Sequence, residues 1–159
     1  MPKDVILTPE GLEKLQDELE DLSTVKRREV AERIKEAREF GDIAENSEYD
    51  DAKNEQAMLE TRIAQLEDKI RSASVVSADE VSSDVVQVGS RVSVAFDGGK
   101  EEQYTIVGSS EADVKERRLS NESPVGKALI GHGEGDEVTI RLPNGKTRTA
   151  RVAKIDVGL

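Results

Sequence analysis

The chain has 159 residues, with 35% hydrophobic and 36% charged side chains. That leaves room for one or two small domains and excludes a large multidomain assembly and wholesale disorder. Lys and Arg number 23 against 34 Asp and Glu, a net charge of −11, which weighs against a duplex-DNA binder with a dominant basic face. There is no cysteine, so disulfides, thiol catalysis and thiolate metal sites are excluded. The single histidine, His132, cannot build a His-rich metal centre; it reads as a surface side chain in a loop. The aromatic residues are Phe40, Tyr49, Phe96 and Tyr104, with no Trp. Much of the chain therefore lies outside a thick core, and a long helical pair is the simplest alternative. The N-terminus lacks the apolar stretch of a signal peptide, and no run approaches the ~20 apolar residues that span a bilayer. A soluble, cytoplasmic protein without membrane partners is expected.

Thr8-Pro9-Glu10 predicts a helix start: a hydroxyl cap, Pro at the first helical position and an acid in the first turn. Apolar residues recur at Leu12, Leu15, Leu19 and Leu22, then more weakly at Val30, Ile34 and Ala37. Phe40-Gly41-Asp42 breaks the pattern. A second seam runs through Tyr49, Ala52, Gln56, Leu59, Ile63, Leu66 and Ile70 in alternating steps of 3 and 4, a heptad spacing. The two seams mirror each other. Tyr49 with Ala37, Ala52 with Ile34 and Gln56 with Val30 each total 86 in residue number; Ile63 with Leu22, Leu66 with Leu19 and Ile70 with Leu15 each total 85. A steady total is the signature of an antiparallel hairpin, so residues 1–75 predict an intramolecular coiled coil in a monomer, with its tip near 41–49.

The second half changes period. Ser72 to Ser83 reads as a linker. Arg91 to Phe96 and Glu102 to Val107 alternate about an Asp97-Gly98-Gly99 turn, a β-hairpin signature. Ser123-Pro124 opens a short helix from Pro124 to Ile130, stopped by Gly131. Glu137 to Leu142 and Thr147 to Val157 alternate about Pro143-Asn144-Gly145-Lys146. Residues 76–159 thus predict a small, mostly antiparallel sheet with one short helix, and the chain as a whole an α+β fold. Gly126, Gly131, Gly133 and Gly135 read as turns, since no Lys-Ser/Thr follows in phosphate-loop spacing.

Glu39 to Ala52 carries six acids (Glu39, Asp42, Glu45, Glu48, Asp50, Asp51) and no base. Like charges crowded at a turn repel, and solubility is the plain reading of them. The sharper one is a hard cation: Asp42 and Glu45, three apart and preceded by Gly41, can aim two carboxylates the same way. Two carboxylates alone hold Mg²⁺ weakly, because the ion demands octahedral oxygen ligands; such a tip is a half-site that another macromolecule completes. Lys26-Arg27-Arg28, with Arg33, Lys35 and Arg38, reads first as a solvated face pairing with nearby Glu.

The stretch Gly41-Asp42-Ile43-Ala44-Glu45-Asn46-Ser47-Glu48-Tyr49 resembles the tip signature of the Gre transcript cleavage factors, GreA type. Leu7-Thr8-Pro9-Glu10-Gly11-Leu12-Glu13-Lys14-Leu15 is similar to that family's N-terminus. So is Ser123-Pro124-Val125-Gly126-Lys127-Ala128-Leu129-Ile130-Gly131, followed by Gly135-Asp136-Glu137-Val138. The resemblance implies an antiparallel coiled-coil hairpin followed by an FKBP-like domain. It implies binding to bacterial RNA polymerase, with the C-terminal domain at the rim of the secondary channel and the tip at the active centre. There the polymerase would hydrolyse the extruded 3′ end of backtracked RNA. On the matching positions, Asp42 and Glu45 would hold a Mg²⁺ shared with the polymerase and position water; Gly41, Asn46, Ser47 and Tyr49 would position the tip or touch RNA; Ser123, Pro124, Gly126, Lys127 and Leu129 would form the docking surface. The protein would be no enzyme by itself and would bind no cofactor stably alone. An FKBP-like fold suggests prolyl isomerase activity, but Phe96 and Tyr104 are too few aromatics for such a pocket. Two competing readings are an inhibitory paralogue occupying the same channel and a non-catalytic coiled-coil adaptor. Asp42 and Glu45, both standing in the family's pattern, favour cleavage.

Overall fold

The computed structural model describes residues 5–40 and 46–159. By internal contacts the chain divides into two units, one spanning Glu13–Ser72 and the other combining the residues up to Leu12 with Ala73–Leu159.

The first unit is the antiparallel helical hairpin. Its ascending arm consists of α1 (Pro9–Asp21), a π-helical turn at Leu22–Lys26 and α2 (Arg27–Glu39); its descending arm is α3 (Ser47–Arg71). Val30, Ile34 and Ala52 form a buried cluster on which Tyr49 and Leu59 pack. Ala37, Ile63 and Leu66 are buried as well, whereas Leu15, Leu19 and Leu22 are half-buried. Ion pairs set the register across the arms. The Arg27 guanidinium donates to both Glu60 oxygens at 2.8 and 2.9 Å, and Arg62 donates to Glu18 at 3.0 and 3.1 Å. The Arg27–Glu60 pair is exposed and contributes little to stability, the Arg62–Glu18 pair is half-buried, and only an antiparallel arrangement brings these residues together. The π-turn was not expected. It inserts one extra residue into the ascending arm, with the Arg27 N–H donating to the Leu22 carbonyl five residues back. The Thr24 hydroxyl donates to the Glu20 carbonyl at 2.7 Å, and the Ser23 hydroxyl donates to that of Leu19, supplying donors where the regular ladder is displaced.

The second unit holds the sheet. β3 (Ser90–Phe96), β4 (Glu101–Val107), β5 (Arg118–Ser120), β6 (Glu137–Arg141) and β7 (Thr147–Val157) lie in the order β5-β4-β3-β7-β6. All neighbours are antiparallel except β4 and β5, which run parallel. Val92, Val94, Ile106, Ile140, Val152 and Ile155 line the core, and α4 (Pro124–Leu129) closes it with fully buried Leu129. A β-bulge in the β3–β7 pairing falls where Ser93 meets Lys154 and Val94 meets Val152. It keeps both Val152 and Ile155 inward although they are three residues apart. The α+β architecture is as expected, but the segment read as a linker is not free. Ala73–Val75 forms β2, parallel to β1 (Val5–Leu7), and the Val76 N–H donates to the Leu7 carbonyl at 2.9 Å. Both strands are three residues long, too short for periodicity to reveal. The residues from Val5 to Leu12 accordingly group with the sheet rather than with the hairpin. There the N-terminus of α1 is held by Glu111, whose carboxylate accepts from the Thr8 N–H at 2.9 Å and from the Thr8 hydroxyl. The Thr8 oxygen in turn caps the helix by accepting from the Gly11 N–H at 3.1 Å.

Candidate functional site

The tip is the first candidate. Gly41, Asp42 and Glu45 lie outside the described residues, but both chain ends that carry them are described. α2 ends at Phe40, whose N–H donates to the Ala37 carbonyl at 3.3 Å. α3 starts at Asn46, whose side-chain oxygen accepts from the Tyr49 N–H at 3.2 Å. The Asn46 amide nitrogen donates to the Ala37 carbonyl on the facing helix. One side chain thus caps α3 and ties it to the last turn of α2, fixing the separation of the two ends between which residues 41–45 run. Tyr49 lies on the Val30–Ile34–Ala52 cluster with the Arg38 guanidinium 5.8 Å from its ring centre. Ser47 is exposed. Arg33 bridges to Glu55 and stands 3.9 Å from Glu48. Glu48 and Asp50 sit in the first turn of α3, where the partial positive charge of the helix start favours acids; Asp50 and Asp51 are exposed.

Of the basic cluster, Lys26 pairs with Glu29, Arg27 with Glu60 and Arg33 with Glu55, the solvated-face arrangement. The guanidinium of Arg27 holds the Glu60 carboxyl below its ordinary range. Phe40 and the Arg38–Tyr49 contact escaped sequence reasoning; the only signal for Phe40 was an aromatic residue standing at a break in the apolar seam.

The second candidate is the Ser-Pro segment. Ser123 is the cap of α4, its oxygen accepting from the Gly126 N–H at 3.1 Å while its hydroxyl donates to the Ser120 carbonyl at 2.7 Å. Pro124 occupies the first turn. Gly126 is buried, and a Cβ there would stand 2.0 Å from the Ser120 carbonyl oxygen. Leu129 is fully buried. Of the five candidates, Pro124 and Lys127 are exposed and Ser123 is half-buried; Gly126 and Leu129 shape the segment from inside. His132 faces Asp136, Nδ1 to Oδ2 3.4 Å. The Gly133 N–H, more than this histidine, holds the Asp136 carboxyl low. Gly131 and Gly135 adopt positive φ, 86° and 89°, as turn glycines do. Among the described residues no group of three or more His, Asp or Glu side chains could hold a metal ion, and no helix is long and apolar enough to cross a membrane.

Two family descriptions match the chain: the N-terminal domain of GreA/GreB transcription elongation factors over residues 5–75, and the C-terminal domain over residues 81–157. The chain belongs to the GreA/GreB family of transcription elongation factors. Transcription elongation factor GreA of Acetivibrio thermocellus is 58% identical over 90% of this chain and 91% of that protein. GreA of Geobacillus kaustophilus is 53% identical over 92% and 94%. Among solved structures, the GreA factor homolog Gfh1 of Thermus thermophilus is 33% identical over 97% of this chain and 99% of that one, with a TM-score of 0.44. Function as a transcription elongation factor of the Gre type follows from this membership.

Proposed function

We propose that this GreA/GreB-family factor binds bacterial RNA polymerase, reaches the active centre through the secondary channel, and stimulates the polymerase's own hydrolysis of a backtracked RNA 3′ end. The observation that carries this reading is the Asn46 clamp, which fixes both ends of the segment bearing Asp42 and Glu45. Acids brought to a catalytic centre must arrive in a set geometry, since misplacement by about 1 Å can cost about a hundredfold in rate. Carboxylate oxygens suit Mg²⁺, so Asp42 and Glu45 fit the ion; two carboxylates leave most of its octahedral positions unfilled. Those positions would be filled by the polymerase and the RNA. The ion, when bound, would stabilise the attacking and leaving oxygens of phosphodiester hydrolysis. Asp42 and Glu45 would orient the ion and accept a hydrogen bond from the attacking water, while Asn46 and Tyr49 hold the tip in place. The factor alone would then be no enzyme and would hold no ion stably. Docking through the exposed Pro124 and Lys127, on a segment shaped by Ser123, Gly126 and Leu129, would leave the tip free for chemistry. One copy suffices for both tasks, which supports a monomer.

The test is a stalled, backtracked polymerase carrying labelled RNA, with and without this protein. Shortened RNA followed by resumed synthesis supports the reading. Slowed synthesis without shortening replaces it with the inhibitory reading, and no effect replaces it with the adaptor.

A further inference from the structure

The ascending arm of the hairpin has its root in the sheet-bearing unit: the first residues of α1 group with the sheet, and the helix enters the hairpin unit at Glu13. Side chains 103 and 108 residues further along the chain hold that root. Thr8 is 1% exposed, and its N–H and its hydroxyl both donate to the Glu111 carboxylate. Glu10, in the first turn, accepts at 2.8 Å from Arg118, whose side chain is only 17% exposed. The strand before the turn is held as closely. Gly108, whose carbonyl accepts from the Glu111 N–H at 3.0 Å, lies so near β1 that a Cβ there would overlap the Ile6 carbonyl oxygen. Capping alone does not require all this, because the Thr8 oxygen already accepts from the Gly11 N–H. The sequence gives up helix propensity to admit Glu111. Gly11 is buried in the first turns of α1, where Gly is less favourable than Ala, and a Cβ there would overlap the Glu111 carboxyl group. A carboxylate suits the place, since a helix start carries partial positive charge.

We propose that Glu111 is a positioning residue for stimulated cleavage: through Thr8 and the space left by Gly11 it gives the root of the ascending arm a single conformation. The inference rests on the polymerase reading above and deepens it. A factor that docks with one unit and does its chemistry with the other passes position along the chain between them. The two segments concerned are Val5–Leu7 and Ala73–Val75, paired as β1 and β2, and Glu111 grips the helix that follows the first of them. A root with several conformations spreads the tip carboxylates over many placements, and misplacement by about 1 Å can cost about a hundredfold in rate. Glu111 lies outside the Ser123–Leu129 docking segment, so its loss should act on the cleavage rate and not on docking.

The experiment uses the full chain with backtracked polymerase. Cleavage is measured against factor concentration for wild type, Glu111→Ala, Glu111→Gln, Gly11→Ala and the double variant Gly11→Ala/Glu111→Ala, with the thermal midpoint of each free protein. Glu111→Ala should lower the rate at saturation about tenfold or more and leave the half-saturating concentration little changed. Glu111→Gln, whose amide oxygen can still accept from the Thr8 N–H, should recover most of that rate. Gly11→Ala displaces the flexible end of Glu111 while adding helix propensity, so it should reproduce the cleavage defect without a lowered midpoint, which separates positioning from loss of fold. The double variant should be no worse than Glu111→Ala, because both substitutions remove one shared contact. Wild-type cleavage at saturation for Glu111→Ala and Gly11→Ala overturns the proposal, whatever their midpoints. A defect confined to the half-saturating concentration also overturns it, by making Glu111 part of docking. Failure of the wild-type factor to stimulate cleavage is a different result, and it removes the polymerase-cleavage reading itself.

Discussion

Gly126→Ala sets two effects of opposite sign against each other. In an open helix, replacing Gly by Ala stabilises by about 1 kcal/mol, and α4 is a helix. The surroundings of Gly126 reverse that expectation. A Cβ built there meets the Ser120 carbonyl oxygen at 2.0 Å and both the Ser120 carbonyl carbon and Ser123 Oγ at 3.0 Å. Relief requires α4 to move by more than about 1 Å, since Cβ contacts ordinarily begin near 3.4 Å. That movement stretches the cap made by Ser123 with the Gly126 N–H, worth about 0.5–2 kcal/mol. It also displaces Leu129 from the core, a strain of about 1–3 kcal/mol. The net expectation is a loss of about 2 kcal/mol or more, which for a unit of this size lowers the thermal midpoint by roughly 8–16 °C. Differential scanning calorimetry of the full chain reads this directly in the transition of the sheet-bearing unit. An unchanged or raised midpoint would refute the view that Gly126 is there for backbone clearance and would return it to the list of surface contacts.

Leu66→Ala removes a fully buried side chain of α3 and should destabilise the hairpin by about 2–4 kcal/mol, seen as a lowered helical melting transition by circular dichroism; a change below about 1 kcal/mol contradicts burial there. Asn46→Ala loses both the cap of α3 and the tie to Ala37. Its stability cost should be about 1 kcal/mol, yet stimulated cleavage should fall at saturating factor; wild-type cleavage would show that the clamp does not position the tip. Asp97 gives a pH dependence. The Thr149 N–H, and after it Arg148, hold its carboxyl below the ordinary Asp range. The folded state therefore binds a proton less readily than the unfolded one, and the stabilisation is present above the unfolded value and lost as pH falls towards the folded one. The thermal midpoint should decline on acidification below about pH 4, and Asp97→Asn should flatten that part of the decline; an identical acid profile contradicts the assignment.

The hairpin was legible because its two seams carry their register in plain numbers, but the irregularity in that register was passed over as a steady total. The mirrored totals drop from 86 to 85 between the Val30–Gln56 and Leu22–Ile63 pairs, because eight residues separate Leu22 from Val30 where seven separate Gln56 from Ile63. The π-turn at Leu22–Lys26 absorbs that extra residue. The same signal recurs in β7, where Ala150, Val152 and Ile155 break strict alternation and a β-bulge restores the inward direction. Strands β1, β2 and β5 were not legible: three residues give no period, and each exists only because a distant partner supplies its hydrogen bonds. At the site, the motif located the tip acids. The double use of Asn46 and the exposure of Phe40 depend on which groups the folded backbone brings near, and spacing along the chain does not encode that.

The central claim is that the tip lends carboxylates to chemistry performed by the polymerase. The most direct measurement is a cleavage time course on a backtracked complex with Asp42→Asn and Glu45→Gln, each at saturating concentration. Both substitutions keep side-chain size and remove charge, so hairpin stability should be kept or slightly raised by weaker repulsion among the acids, and polymerase binding should change little. Stimulated cleavage should fall strongly for each, with partial recovery at raised Mg²⁺, because a neutral amide is a poor ligand for that ion. Wild-type cleavage rates for both variants would contradict the account.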